Sequence, residues 1–474
     1  MNFLKKNFNK FMTILMYIPA LLTSKAINYD FYFLYLHGKT ILENGFVTKE
    51  PFSMHENMNF LIQQWMVSIL YYKVYDWFDK YGLGLLIILI EILTIFMLYK
   101  TLKLICNNDL LAKILTFPSS LIMLQFATQR PFMVTYLITI CLFYFIIKYT
   151  KTNNYKYLIA LPVISLLQIN IQCSMWIFLF IMMCPFFAET KLFATGNLYC
   201  ENYRKLPLMI TSFIMIIMGF INPYGYKSII YVFNSISKND IGIAEMQSPK
   251  LTNFSGICIL IIFTITFLLI LNIKNKINIR YGFLFLGSLI LTFFAMRNLP
   301  YLGLATSLLY ADLLKDVDIK KILEKIFGIY ELYVPILAIG LLLFSIFNFI
   351  KPCDDDITRV SDVVQYLQNN YETKDKTVYA GYDEGAYFNY CGFKSYIDVR
   401  MEVHLEKQNH QFDYVEEFYN LQYKGLDYKE FLSKYNFDFI VVNKNDILYD
   451  KITNEDNYEL VYENDFYKSF VKIQ

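Results

Sequence analysis

Over the first 350 residues, apolar runs approaching the length needed to cross about 30 Å of hydrocarbon alternate with short charged loops. The pattern predicts eleven membrane-spanning helices, near 11–27, 82–102, 110–128, 131–149, 156–171, 174–190, 207–222, 254–272, 281–296, 299–313 and 328–350. The two halves of 156–190 meet at IQCSMW without a charge, so length alone separates them. Stretch 61–78, LIQQWMVSILYYKVYDWF, is amphipathic and predicts a helix lying in the interface. From residue 351 no run is long enough to span a bilayer. SDVVQYLQNN and EEFYNLQYKGLDYKEFLSKY have helical spacing, KTVYAGY, KSYIDV and FDFIVVN read as strands, and ELVYENDFYKSFVKI reads as a hairpin turning at 463–465. The expected architecture is an α-helical polytopic membrane core over 1–350, carrying a first outer loop at 28–81. A soluble extracytoplasmic α/β domain over 351–474 follows, of a size that folds alone.

Composition and charge sharpen this picture. With 56% hydrophobic and 18% charged residues, the chain is too apolar for an ordinary soluble protein. Loops on the N-terminal side carry 19 Lys and Arg, against ten in the longer loops of the opposite side. That excess marks the cytoplasm, and an odd number of spans places the C-terminal domain outside. Lys5, Lys6 and Lys10 precede the first apolar run and no small-residue cleavage site follows, so that run is expected to stay as an uncleaved span. No basic stripe lies outside the short loops, which argues against a nucleic-acid partner; the partners expected instead begin with membrane lipids. The eight cysteines show no CxxC spacing, which argues against zinc and a disulfide framework. Only Cys353 and Cys391 share the C-terminal region.

Candidate chemistry concentrates on the outer face. The loop from Ala26 to Trp65 carries Asp30, Glu43, Glu50, Glu56, His37 and His55, with Tyr29, Phe31, Tyr32, Phe33 and Tyr35 around the first acid. Acids among rings that suit an interface are where a membrane enzyme would keep its chemistry; a solvated connecting loop is the plain alternative. Polar groups at span ends gather on the same side: Gln129-Arg130-Pro131, Asn170, Gln172, Asn222, Glu245 and Arg297-Asn298. An arginine at a tight outer turn runs against the inside bias and calls for a partner, unless it snorkels to water. Two arginines, several amides and an acid on one face suggest a shared outward-facing cavity. There Asp30 supplies a carboxylate, and the guanidinium forks of Arg130 and Arg297 suit phosphate oxygens. Lys39, Gln64, Trp65, Asn170 and Asn222 are candidate substrate contacts. Glu43, Glu50, Glu56 and Glu245 are candidates for acceptor contacts or for a divalent metal, which the sequence leaves open as a cofactor.

These residues also resemble a family. Asp30-Phe-Tyr-Phe-Leu-Tyr-Leu-His-Gly38-Lys39, Ile41-Leu42-Glu43-Asn-Gly45, Glu50-Pro51-Phe52-Ser53 and Gln64-Trp65 look like the first outer loop of GT-C-type polytopic membrane glycosyltransferases. The group meant is the bacterial mannosyltransferase-like and aminoarabinose-transferase-like one. Arg130-Pro131, Asn222-Pro223-Tyr224-Gly225 and Arg297-Asn298-Leu299-Pro300 resemble later stations of that group. So do Tyr382-Asp383-Glu384-Gly385-Ala386-Tyr387 and Ile397-Asp398-Val399-Arg400 in the outer domain. The order of these short motifs, over nearly the whole chain, is what makes the resemblance specific. The chain departs from it at Gln64, where relatives often have an acid, and at Gln172-Cys173, where a His-Gly pair is expected.

The resemblance implies an inverting transferase in the cell membrane that takes sugar from a polyprenyl-phosphate-linked donor. The acceptor would be an envelope glycan, lipid or protein on the outer face. Asp30 would accept the proton of the attacking hydroxyl, and Arg130 and Arg297 would hold the departing phosphate. Two other classes remain. A lipid-linked sugar flippase or transporter should show internal repeats with matched breaks, yet Pro118, Pro162, Pro185 and Pro335 do not pair across halves. A non-catalytic envelope assembly protein would need no acid at the end of the first span.

Overall fold

The computed structural model describes residues 6–22, 27–124, 128–188, 198–235, 244–272, 276–327, 330–350 and 356–473. Of the residues named above, Lys5, Ala26 and Cys353 lie outside them, as do four of the counted lysines, Lys25, Lys191, Lys238 and Lys274. The chain forms two compact units, one made of Met1–Lys25, Gly84–Ile221 and Gly242–Lys351 and the other of Ala26–Leu83, Asn222–Ile241 and Pro352–Gln474.

In the first unit a helix lies at each of the eleven expected positions, from Phe8–Leu21 to Tyr330–Ile350. By length and composition, three of the described helical elements are long and apolar enough to cross a membrane: Trp65–Cys106, Phe132–Thr152 and Phe254–Asn272. The uncertain stretch at 156–190 does divide, into Ala160–Ile171 and Trp176–Phe187, because Gln172 is extended at φ −155°. Leu299–Leu313 is buried along nearly its whole length and packs on Ile279–Phe294 and Asp109–Leu124. An apolar core of Met12, Leu15, Ile18, Leu110 and Ala338 ties the first helix to Asp109–Leu124 and Tyr330–Ile350. Phe254–Asn272, apolar all round, leaves most of its surface uncovered, as a helix facing lipid does. A short parallel pair, β1 (Leu198–Tyr199) and β2 (Ile277–Asn278), completes this unit.

The expected interfacial helix and second span follow one another within Trp65–Cys106 as two helices separated by a kink at Asp79 (φ 54°, ψ −160°). Trp77, Phe78 and Tyr81 stand exposed around that break, with Lys73 over the Trp77 ring and Lys80 over the Tyr81 ring. Rings and lysines in this arrangement suit a membrane–water boundary.

The second unit is built on a five-stranded sheet: β3 (Thr377–Tyr379), β4 (Lys394–Ser395), β5 (Phe439–Asn443), β6 (Tyr458–Glu463) and β7 (Tyr467–Lys472), in the order β4-β3-β5-β7-β6. β3 runs parallel to β4 and β5, and β7 returns antiparallel to β5 and β6. The terminal hairpin therefore turns where the pattern placed it. The second helical stretch breaks into Tyr414–Tyr423 and Tyr428–Lys434 because Gly425 takes φ +76°.

From Pro352 onward the chain belongs to the second unit, together with Ala26–Leu83 and Asn222–Ile241. Ser53 of the first outer loop bridges Ser395 at the β4 edge, and Met54 N donates to Ser395 O at 3.1 Å. Covering an open strand edge in this way satisfies backbone groups that would otherwise pair with another chain. Ile41, Met58, Phe60 and Ile62 of the loop share a core cluster with Val403. The loop is therefore part of this unit rather than an appendage of the spans.

Candidate active site

Three turns of the first unit meet around a pair of arginines. Arg130 precedes Phe132–Thr152, Glu245 sits in the 3-10 turn Ala244–Met246, and Arg297 in the 3-10 turn Met296–Asn298. Met296 N donates to Gln247 O at 3.0 Å, joining two of these turns. Arg130 Nη1 and Glu245 Oε2 lie 2.6 Å apart, with about a third of each side chain exposed. Burial pushes the Arg297 guanidinium down from its ordinary range, and the charge of Glu245 opposes the shift. One helical turn on, the Tyr301 ring meets the Tyr136 ring edge-on at 5.3 Å and Phe178 at 4.4 Å, closing the apolar side of the cluster.

Chemically this is a concentration of positive charge held by one carboxylate. A partly exposed ion pair contributes only about 0–1 kcal/mol, so an incoming phosphate can compete for Arg130. The expectation that outer-turn arginines need a partner is met for Arg130 by Glu245, whose role as a pairing acid no local pattern could show.

Asp30 belongs to the second unit, in the first turn of Tyr29–Asn44. Asn28 caps that helix, its Oδ1 accepting from Phe31 N at 3.2 Å. Asp30 thus sits at the positive end of the helix dipole. Burial, the charge of Glu402 and then that of Asp30 push the Tyr382 phenol well above its ordinary range. Tyr382 Oη donates to Val399 O at 2.8 Å. Glu402 itself is pushed up by burial and accepts from Gln63 Nε2 at 2.9 Å. The sequence carried Tyr382 only within a family motif and gave no sign of Glu402, and both lie more than 350 positions along the chain from Asp30.

Behind them lies a buried charge network. Arg400 donates through Nη1 and Nη2 to both oxygens of Glu50, at 2.8 and 2.9 Å. It also donates through Nε to Asp398 Oδ1 at 3.0 Å and through Nη2 to Asp398 Oδ2. Phe52 and Phe60 flank the guanidinium at 5.5 and 5.6 Å. Burial opposes the charge on Asp398, but Arg400 and His404 together outweigh it and hold that carboxyl well below the usual range. His37 Nε2 lies 3.2 Å from Arg400 Nη1; burial and the guanidinium push its pKa well below normal, so it is a neutral acceptor. Glu50, read as a candidate substrate or metal acid, is thus engaged by Arg400.

The other candidates separate by surroundings. Lys39 and Glu43 are exposed on Tyr29–Asn44, and Glu56 is exposed in the loop. Gln64 is buried, and Trp65 packs edge-on against Phe46 at 5.6 Å. Asn170 Nδ2 donates to Leu166 O and Ile221 O, at 2.8 and 2.9 Å. Asn222 holds its own turn, accepting from Tyr224 N and Ser228 Oγ and donating to Gly225 O. Both amides thus have a place in closing helix ends. Among the described residues no group of three or more His, Cys, Asp or Glu is placed to hold a metal ion.

No protein-family model and no curated protein sequence matches the chain. Solved structures do. The archaeal oligosaccharyltransferase AglB from Archaeoglobus fulgidus, in complex with an inhibitory peptide and a dolichol-phosphate, matches with a TM-score of 0.57 at 12% identity, over 92% of this chain and 69% of that one. The apo form of the Archaeoglobus fulgidus oligosaccharyltransferase matches with the same score, identity and coverage. Its form tethered to an acceptor peptide containing the NVT sequon matches with TM-score 0.57 and 12% identity, over 94% and 70% of the two chains. The chain has the fold of the GT-C-type glycosyltransferases.

Proposed function

We propose that this chain is a membrane glycosyltransferase that moves a sugar from a polyprenyl-phosphate-linked donor to an envelope acceptor on the outer face of a bacterial membrane. The observation that carries the reading is the meeting of Arg130, Glu245 and Arg297 from three turns, on a fold shared with enzymes that include a dolichol-phosphate complex. In the proposed reaction the acceptor hydroxyl attacks the anomeric carbon and the new C–O bond forms. The bond from that carbon to the phosphate oxygen breaks, and its electron pair leaves with the lipid phosphate. Asp30 takes the hydroxyl proton as the bond forms. A single displacement inverts the anomeric centre.

Arg130 and Arg297 stabilise the charge that grows on the leaving phosphate, with Glu245 giving way to it at Arg130. Lys39, Glu43, Gln64, Trp65, Asn170 and Asn222 stay proposed as residues that contact substrate or shape its site. Topology is part of the same proposal: eleven spans, the N-terminus in the cytoplasm and the sheet unit outside. Comparing envelope glycans of cells with and without the gene tests it. Loss of one defined sugar substituent is expected; an unchanged glycan profile would overturn the reading.

A further inference from the structure

We propose a second binding site, within the sheet unit and separate from the reacting groups, that takes a carboxylate-bearing sugar ring. A cavity of about 270 Å³ opens there, at the small end of ligand pockets and suited to one ring. One wall is a single face of the helix Tyr226–Ser235: Lys227, Ile230, Tyr231 and Asn234, at the i, i+3, i+4, i+7 spacing. Phe60 and Leu61 of the first outer loop form the apolar floor with Ile230. Gln408 and His410 close the far side.

Two features point to a ligand. Gln408 is 6% exposed and lines the cavity, yet its Oε1 has no hydrogen-bond partner. A buried amide oxygen without a partner carries a desolvation cost, and a turn of the Gln408 side chain toward the cavity would let a bound hydroxyl relieve it. The polar rim is also rich in donors. Among the described residues, Lys227 and His410 line it and no Asp or Glu does. Lys49 Nζ donates to Asn59 Oδ1 at 2.8 Å, which leaves the Asn59 amide with Nδ2 to offer. Backbone groups beside it are already paired, Asn59 N with Asn409 O and Phe60 N with Thr48 O. An apolar floor, an orphan acceptor for a hydroxyl and a lysine with no counter-acid among the described residues match a hexuronate ring better than a neutral sugar.

The inference deepens the proposed activity, since an acidic unit of an acceptor glycan is the natural occupant, and it rests on that reading only for this purpose. The test is binding of D-glucuronate to the full chain in detergent, beside D-glucose and an aspartyl-glutamate dipeptide, by saturation-transfer NMR and calorimetry. Glucuronate should bind near millimolar, as expected for so small a ligand, and glucose at least tenfold more weakly. Lys227→Gln should weaken glucuronate at least tenfold, and Ile230→Trp, which fills the cavity from a half-exposed position, should abolish saturation at an unchanged melting temperature. Equal binding of glucose, preference for the dipeptide, no saturation by about 50 mM, or indifference to both variants would overturn the site. Uronate binding without any sugar transfer would leave this inference standing and remove the catalytic one; transfer without uronate binding would do the reverse.

Discussion

Arg130 and Glu245 show how little energy separates a resting ion pair from a working cation. Their side chains are about a third exposed, so the pair opens at low cost, whereas an unneutralised leaving phosphate is expensive. Arg130→Gln and Arg297→Gln should each slow transfer by about 2–4 kcal/mol, roughly 10²–10³-fold, with folding preserved. Lys at either position should rescue poorly, lacking the planar fork. Steady-state transfer rates check this, and normal turnover in both Gln variants would leave the arginines as anchors. Arg400 is the opposite case, buried with Glu50 and Asp398. Arg400→Met strands two carboxylates and should cost about 3–5 kcal/mol of stability, against about 0.5 or less for the exposed Glu43→Gln.

Acid should have a related effect. Burial holds His37 neutral in the fold, and burial with His404 nearby pushes His55 down to about 3. Below about pH 6.5 the unfolded chain therefore binds more protons than the folded one. Stability falls on acidification by up to about 1.4 kcal/mol per pH unit for each imidazole. Below about pH 4 the depressed carboxyl of Asp398 adds to the loss. Melting the full chain in detergent between pH 7.5 and 5 checks the slope, which His55→Asn should reduce.

At the scale of elements, the first outer loop and the sheet are one structure. Ser53 pairs with the β4 edge, Glu50 meets Arg400, and Phe60 packs beside Val403. Residues 352–474 expressed alone should therefore be aggregated or lack a cooperative transition, and fusing 27–64 to them should restore one. Calorimetry of both versions decides it; a stable, cooperative 352–474 would show that the loop is dispensable. The helices were legible in the sequence because each apolar run is bounded by charge or by a break such as Gln172. The strands at β3, β5 and the final hairpin were legible from short runs of β-branched and aromatic residues between polar breaks. KSYIDV was over-read: only Lys394–Ser395 pairs, and residues 397–400 turn into the charge network. Glu50 could not be placed, since its partner lies 350 positions along the chain and nothing local separates it from a solvated loop acid.

At the scale of the whole molecule, charge and fold bear on orientation and chemistry. Nineteen cations against ten favour a cytoplasmic N-terminus. A reporter fused after Gln474 should then work only if it needs export; cytoplasmic activity there would reverse the topology. The site was half legible. Asp30, Arg130 and Arg297 stand out as charges in apolar surroundings, while Glu402 and Tyr382 emerge only once the chain folds. The most direct test of the account is sugar transfer from a polyprenyl-phosphate donor in proteoliposomes, comparing the natural chain with Asp30→Asn and measuring donor binding in the same preparation. The account predicts transfer by the natural chain and a 10²–10⁴-fold loss in the variant, about 3–5 kcal/mol, with donor binding retained. Near-normal turnover by Asp30→Asn would contradict it.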